Sequence, residues 1–237
     1  MYRLPLLRCV LMVAATLLAA VALLATPSPV TGAPSVSGTV TGTDGKGVAQ
    51  AVVFVRDPIP AAERPAAAAH PAATADHPSP QVVDQISKAF VPDLLAIEVG
   101  TLVRFPNHDQ IHHHVYSFSP AKIFELPLYK GEDAPPVLFD KVGVVKIGCN
   151  IHDWMSGIIL VLPTPHFAVT DGDGRFTLSD LPSGTYTLSA WHALSKLKPE
   201  DASQSVRVGQ EPVQVDFTLP LSPARPRRAM HGARTEP

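Results

Sequence analysis

Cysteine is nearly absent from this 237-residue chain, which has only Cys9 and Cys149. Cys9 lies in an N-terminal apolar run, so Cys149 is the one thiol of the folded part and no intramolecular disulfide supports the fold. A dominant charge is lacking too. The formal net charge is −2, and no Lys/Arg stripe with interleaved aromatics crosses the body of the chain, which excludes the electrostatic footprint of a nucleic-acid binder. The one basic cluster, Arg225, Arg227 and Arg228, belongs to a Pro-rich C-terminal tail and reads as a solvated end. Long helix-compatible stretches are also missing, because 25 Pro and 15 Gly are spread among short apolar runs. A mainly β protein is expected.

What is present begins with Arg3 and Arg8 ahead of an apolar run from Cys9 to Ala25, the layout of an export signal. Residues 1–33 are read as a signal peptide or an uncleaved inner-membrane anchor, and the protein is expected in the periplasm. An unpaired thiol in an oxidising compartment is a liability unless something occupies it, and metal ligation is one such use. Residues 57–80 are mostly Ala, Pro and small polar residues without apolar period, so they read as a linker or surface loop with His70 and His77 solvated in it. Residues 221–237 read as a disordered basic tail.

Period-two alternation marks the strands. Ile97 and Val99, then Thr101, Val103 and Phe105, recur at the spacing of a half-buried strand with a bend at Gly100. Val145, Ile147 and Cys149 share one face, which aims the thiol inward. Gly157 to Leu162 is apolar on both faces, as expected of a strand covered from both sides, one cover being a neighbouring domain. Hairpin signals stand at Asp44-Gly45 and at Asp171 to Gly174, with a second turn at Pro182 to Gly184 and a closing strand from Val213 to Leu219. Asp171 to Gly174 reads as a turn, since the ligand series of a calcium loop is not completed downstream.

The chemistry-bearing segment is Cys149-Asn150-Ile151-His152-Asp153-Trp154-Met155, which puts a thiolate, an imidazole and a thioether at three-residue intervals on a short loop between two strands. A second imidazole has its nearest source in His112, His113 and His114. Thiolate plus thioether favours copper, and two imidazoles with one thiolate give the trigonal set of a blue-copper site with Met as weak axial ligand. Zinc competes for Cys and His but does not use Met. Cys149 as a small core residue with Met155 as filler, and Cys149 as a nucleophile, are the other readings. No orienting group or oxyanion loop accompanies the nucleophile reading.

The Cys-x-x-His-x-x-Met spacing resembles the ligand loop of amicyanin, a short-loop cupredoxin, and His113-His114-Val115 resembles the His-Asn-Val that carries the first cupredoxin ligand. Residues from about 85 to 163 are similar to exported plastocyanin-like proteins often labelled methylamine-utilisation proteins. That resemblance implies a Greek-key cupredoxin β-sandwich over 81–163 with copper at one end. It implies His113 as first ligand, Cys149 as thiolate, His152 as second imidazole and Met155 as axial sulfur, with His114 standing where related proteins have Asn. Strand alternation would put His113 on the face opposite His112 and His114.

Residues 34–56 and 164–220 resemble a second small β-sandwich of the carboxypeptidase-regulatory or prealbumin-like kind, discontinuous around the copper domain. The function expected is that of a one-electron carrier rather than an enzyme. Its implied partner is a redox protein such as a c-type cytochrome or a periplasmic dehydrogenase. A copper-storage or delivery module, and a scaffold in which the second sandwich does the binding, are the alternatives. His108, His166 and His192 are expected to be ordinary surface or hydrogen-bonded histidines.

Overall fold

The computed structural model describes residues 35–57 and 80–223. The leader at 1–33, the linker beyond 57 and the tail beyond 223, with His70, His77 and the arginine cluster, lie outside the described residues. Every regular element among the described residues is a strand, in keeping with the dense Pro and Gly punctuation. The chain opens with β1 (Ser35–Gly42) and β2 (Val52–Val55). Then come β3 (Gln81–Val82), β4 (Asp84–Ile86), β5 (Ala89–Val91), β6 (Leu94–Glu98) and β7 (Thr101–Arg104). The middle holds β8 (His113–Ser119), β9 (Lys122–Tyr129), β10 (Val137–Phe139), β11 (Gly143–Cys149) and β12 (His152–Leu162). The last are β13 (Phe167–Val169), β14 (Arg175–Ser179), β15 (Gly184–Trp191), β16 (Ser203–Val208), β17 (Val213–Gln214) and β18 (Phe217–Leu219).

These strands form four principal sheets with three apolar layers between them. A sheet ordered β6-β12-β11-β8-β9 faces a smaller sheet ordered β10-β7-β3, and the small hairpin β4-β5 stands beside them. Ile97, Val103, Phe105, Val145, Ile147, Ile159 and Val161 fill the space between. The alternation read in the sequence is thus the inward face of β6, β7 and β11. Val99 departs from it. It lies in the turn before Gly100, which takes a φ of 91°, and is exposed.

A second pair of sheets, β14-β1 with β17 and β18 alongside, and β13-β2-β15-β16, encloses a core of Val36, Val40, Val53, Val55, Phe176, Leu188 and Phe217. The strands before residue 56 therefore pair with strands after 166. Both hairpin signals need correction here. β1 and β2 belong to different sheets, joined across the Asp44-Gly45 turn only by the Thr41–Gly47 bridge. β13 and β14 likewise belong to different sheets, so the turn at Asp171 to Gly174 is a corner between layers. The physical reason is in β2, whose four residues are all buried: a strand covered on both faces belongs inside the stack and cannot lie as a two-stranded arm.

The third layer explains why Gly157 to Leu162 lacks alternation. Leu160 and Leu162 point away from the metal-bearing side and pack with Val52, Phe54 and Trp191, with Leu94, Val144, Ile158 and Phe167 around them. β12 thus contributes to two cores. Each large side chain buried in this layer contributes about 1.5–3 kcal/mol of hydrophobic stabilisation.

Candidate metal centre

The Cys149 segment is locally irregular in a way that gathers donors. β11 and β12 are antiparallel, joined through Asn150 and Ile151, but Gly148 pairs with Ser156 while Cys149 pairs with His152. Asp153, Trp154 and Met155 consequently have no partner on β11. The sequence suggested a loop between strands; the structure has an interrupted strand. In a regular strand His152 and Met155, three apart, would face opposite sides, and this bulge removes that restriction. Cys149 and Met155 are both buried in the cluster between the two sheets.

His113 comes from the start of β8, where a register shift between His113 and Val115 marks a second irregularity. His113 is fully buried. Its Nδ1 lies 3.9 Å from Cys149 Sγ, and His152 Nδ1 lies 3.7 Å from the same sulfur. The three donor atoms all fall within 4.8 Å of one another, and no other group of this kind occurs among the described residues. The two imidazoles meet edge-on, with centroids 4.9 Å apart and planes inclined by 62°.

The neighbours of His113 separate as strand alternation requires. His112 is exposed, while His114 turns away and brings Nε2 to 2.8 Å from Glu125 Oε1, beside the Tyr116 ring. Of the triplet, only His113 takes part in the cluster. His108 pairs with Asp84, and His166 is buried with its backbone N–H donating to Thr164 Oγ1.

The residue that sequence reading missed is Asp109. Its Oδ2 lies 2.7 Å from His113 Nε2, and it accepts the backbone N–H groups of Ser87 at 2.6 Å and Lys88 at 2.7 Å. Burial would raise its pKa, but the bonds from Lys88, His113 and Ser87 outweigh that and hold the carboxyl below the usual value. The loop carrying Asp109 is fixed by buried Asn107, whose amide donates to the Ile111 and Tyr129 carbonyls and whose Oδ1 accepts the Asp109 N–H. Gln85 and Tyr129 pin the preceding turn by donating to the Phe105 carbonyl. The faint signal in the sequence is an acid four positions before His113.

With His113 Nε2–H donated to Asp109, Nδ1 presents a lone pair to the thiol. A second imidazole lone pair and a sulfur at the same point make an electron-rich, largely dry pocket. A cation shared by three such donors needs them only a few ångströms apart, and Cys149 Sγ stands 3.9 Å and 3.7 Å from the two nitrogens with all three atoms within 4.8 Å of one another. The donor set is soft and fits copper.

Solved structures similar to this chain include the Cu-containing nitrite reductase from Thermus scotoductus SA-01, 31% identical with a TM-score of 0.35, over 45% of this chain and 27% of that one. The purple cupredoxin from Nitrosopumilus maritimus is 26% identical with a TM-score of 0.31, over 35% of this chain and 99% of that one. An oxidised point mutant of amicyanin is 25% identical with a TM-score of 0.33, over 46% and 97%. This chain therefore spans well under a third of the nitrite reductase. No family model and no curated protein matches it.

At this site, His152 alone of the three donors reaches the surface, beside the half-exposed Trp154 ring at 5.2 Å. Burial chiefly, with the nearby His113 and Lys88 acting in the same direction, holds the His152 pKa below the ordinary histidine value. His192 is also lowered, chiefly by burial, and its Nδ1 accepts the Leu194 N–H. Both shifts have the same sign. The unfolded chain binds more protons below about pH 6.5, so the metal-free protein loses stability as pH falls through that value toward the lower folded pKa values. Denaturant unfolding at pH 7.5 and pH 5.5 should give the lower midpoint at pH 5.5, and His192→Gln should narrow the gap. Equal midpoints would contradict the direction of the shifts.

Proposed function

We propose that the protein is a one-electron carrier whose type 1 copper would be held by His113, Cys149 and His152, with the Met155 thioether as a weaker fourth donor. The observation that carries this reading is the convergence of two imidazole Nδ1 atoms on one buried thiol, with a single imidazole edge open to solvent. Copper held by these residues would supply a one-electron couple between a reduced donor and an oxidised acceptor. His113 and Cys149 keep water out, and strand backbone fixes both, so the donors need to move little between states. His152 is the exit edge, and Trp154 with exposed Ile151 supplies the apolar rim on which a partner seats.

The partner class is a redox protein such as a c-type cytochrome or a periplasmic dehydrogenase. The apolar run behind Arg3 and Arg8 supports export to the periplasm, with retention of that run as an anchor the alternative. Residues 34–56 with 164–220 are taken as a separate prealbumin-like sandwich into which the copper domain at 81–163 is inserted. The pairing of β2 with β13 and β15 supports that division.

Purified protein given copper(II) should show intense visible thiolate-to-copper absorption and a reversible one-electron wave in voltammetry. Colourless copper(I) that passes freely to a chelator would assign storage or delivery instead. A cellular function that survives Cys149→Ala would move the role to the second sandwich.

A further inference from the structure

Asp109 is placed with more structure than a loop acid needs. Its Oδ2 accepts from both His113 Nε2 and the Lys88 N–H, and its Oδ1 accepts from the Ser87 N–H. Ser87 and Lys88 form the two-residue turn between β4 and β5, with φ values of 54° and 58°. That left-handed region is uncommon for residues other than Gly, and here it turns two successive N–H groups onto one carboxylate. β4 and β5 pair with each other and with no other named strand, so this hairpin is not needed to complete either large sheet. A second hold acts from its base, where Asp84 accepts from His108 Nδ1 at 2.7 Å. On the other side, the Asp109 N–H is bound to Asn107. The carboxylate is therefore immobilised from both flanks, with its remaining bond directed at a fully buried imidazole.

We infer that Asp109 is a positioning residue for His113, clamped by the Ser87-Lys88 turn, and that its charge lowers the reduction potential of the centre. A carboxylate on one ring nitrogen fixes the tautomer and makes the other nitrogen a stronger donor. Stronger donation favours the more highly charged state of a bound metal, and hence the oxidised form. The inference rests on the copper reading above for its redox part and on the apo geometry alone for its positioning part.

The test compares full-length wild type with Asp109→Asn and Asp109→Glu, all loaded with copper. Asn keeps the shape and removes the charge; Glu returns the charge. The Asn variant should retain the thiolate-to-copper band while its Cu(II)/Cu(I) ratio at a fixed potential falls about tenfold, equivalent to ~59 mV for one electron. Glu should restore much of the shift. An unchanged potential with an intact band would overturn the electrostatic role, as would a Glu variant no closer to wild type than Asn. Should Asn fail to fold, nitrogen-15 spectra of the metal-free wild type decide the positioning role. His113 should carry its proton on Nε2 with Nδ1 bare, and the opposite tautomer would refute it. A wild type without the band removes the copper reading, yet leaves that tautomer result standing on its own.

Discussion

Cys149→Ser is expected to abolish the intense visible absorption of the copper-loaded protein and to weaken copper binding by more than the roughly 10–100-fold that loss of an outer partner costs. Cys149 Sγ lies close to both imidazole nitrogens, at 3.9 Å and 3.7 Å. It is also the only donor among the three that brings a negative charge, and a hydroxyl neither ionises near neutral pH nor offers a soft sulfur. The metal-free fold should barely change. Serine is close to cysteine in size, and its hydroxyl can donate to one of the two facing lone pairs, so the cost is expected to stay within about 1 kcal/mol. Copper titration followed by visible absorption, beside thermal melts of both metal-free proteins, separates the two effects. A serine variant with the full band would remove Cys149 from the centre.

Phe54→Ala is expected to destabilise the fold by about 3–5 kcal/mol, the usual cost of truncating a buried phenylalanine. Phe54 lies on the face of β2 that meets β12, in the layer with Leu160, Leu162 and Trp191. β12 runs from His152 at the metal centre to Leu162 in that layer, so weakening the layer should be felt at both ends. Denaturation of the copper protein can be followed by the visible band and by tryptophan fluorescence, since Trp191 is in the affected cluster. Both midpoints should fall together. A fluorescence midpoint that falls while the visible one stays would mean that the two sandwiches are energetically separate.

The Cys149–His152 part of the site was legible because thiolate and imidazole stand three residues apart on one short segment, and the structure brings His152 Nδ1 to 3.7 Å from Cys149 Sγ. His113 was legible only with the help of resemblance, since a run of three histidines offers three registers. The strand exposes which member points inward: His113 reaches Cys149, and His114 is drawn off to Glu125. Asp109 was not legible. A spacing of four means a shared face only on a helix, and residues 105–112 have no repeating backbone that would let spacing predict direction. Its two clamping N–H groups come from a turn some twenty positions upstream, a contact that no local pattern encodes.

The fold showed the same division. Alternation read the inner faces of β7 and β11 correctly, because each is a property of its own strand. The hairpin readings at Asp44-Gly45 and Asp171 to Gly174 failed because a tight turn specifies a reversal and not the partner. Burial of β2 on both faces decided the partner, and that depends on residues beyond 166.

The pairing of β1 carries a consequence for how the chain is made. Its sheet neighbours are β14, β17 and β18, and Thr39 is tied by two hydrogen bonds to Asp216, 177 positions later. Until the strands after residue 166 are available, residues 81–162 can assemble both sheets around the thiol while β1 and β2 have no one to pair with. Long-range pairing of this kind is slow to form. Val52-Val53-Phe54-Val55 is the sort of apolar β-prone stretch that seeks another chain's edge when left open. That stretch is therefore expected to be the part of an incompletely folded copy most prone to aggregate.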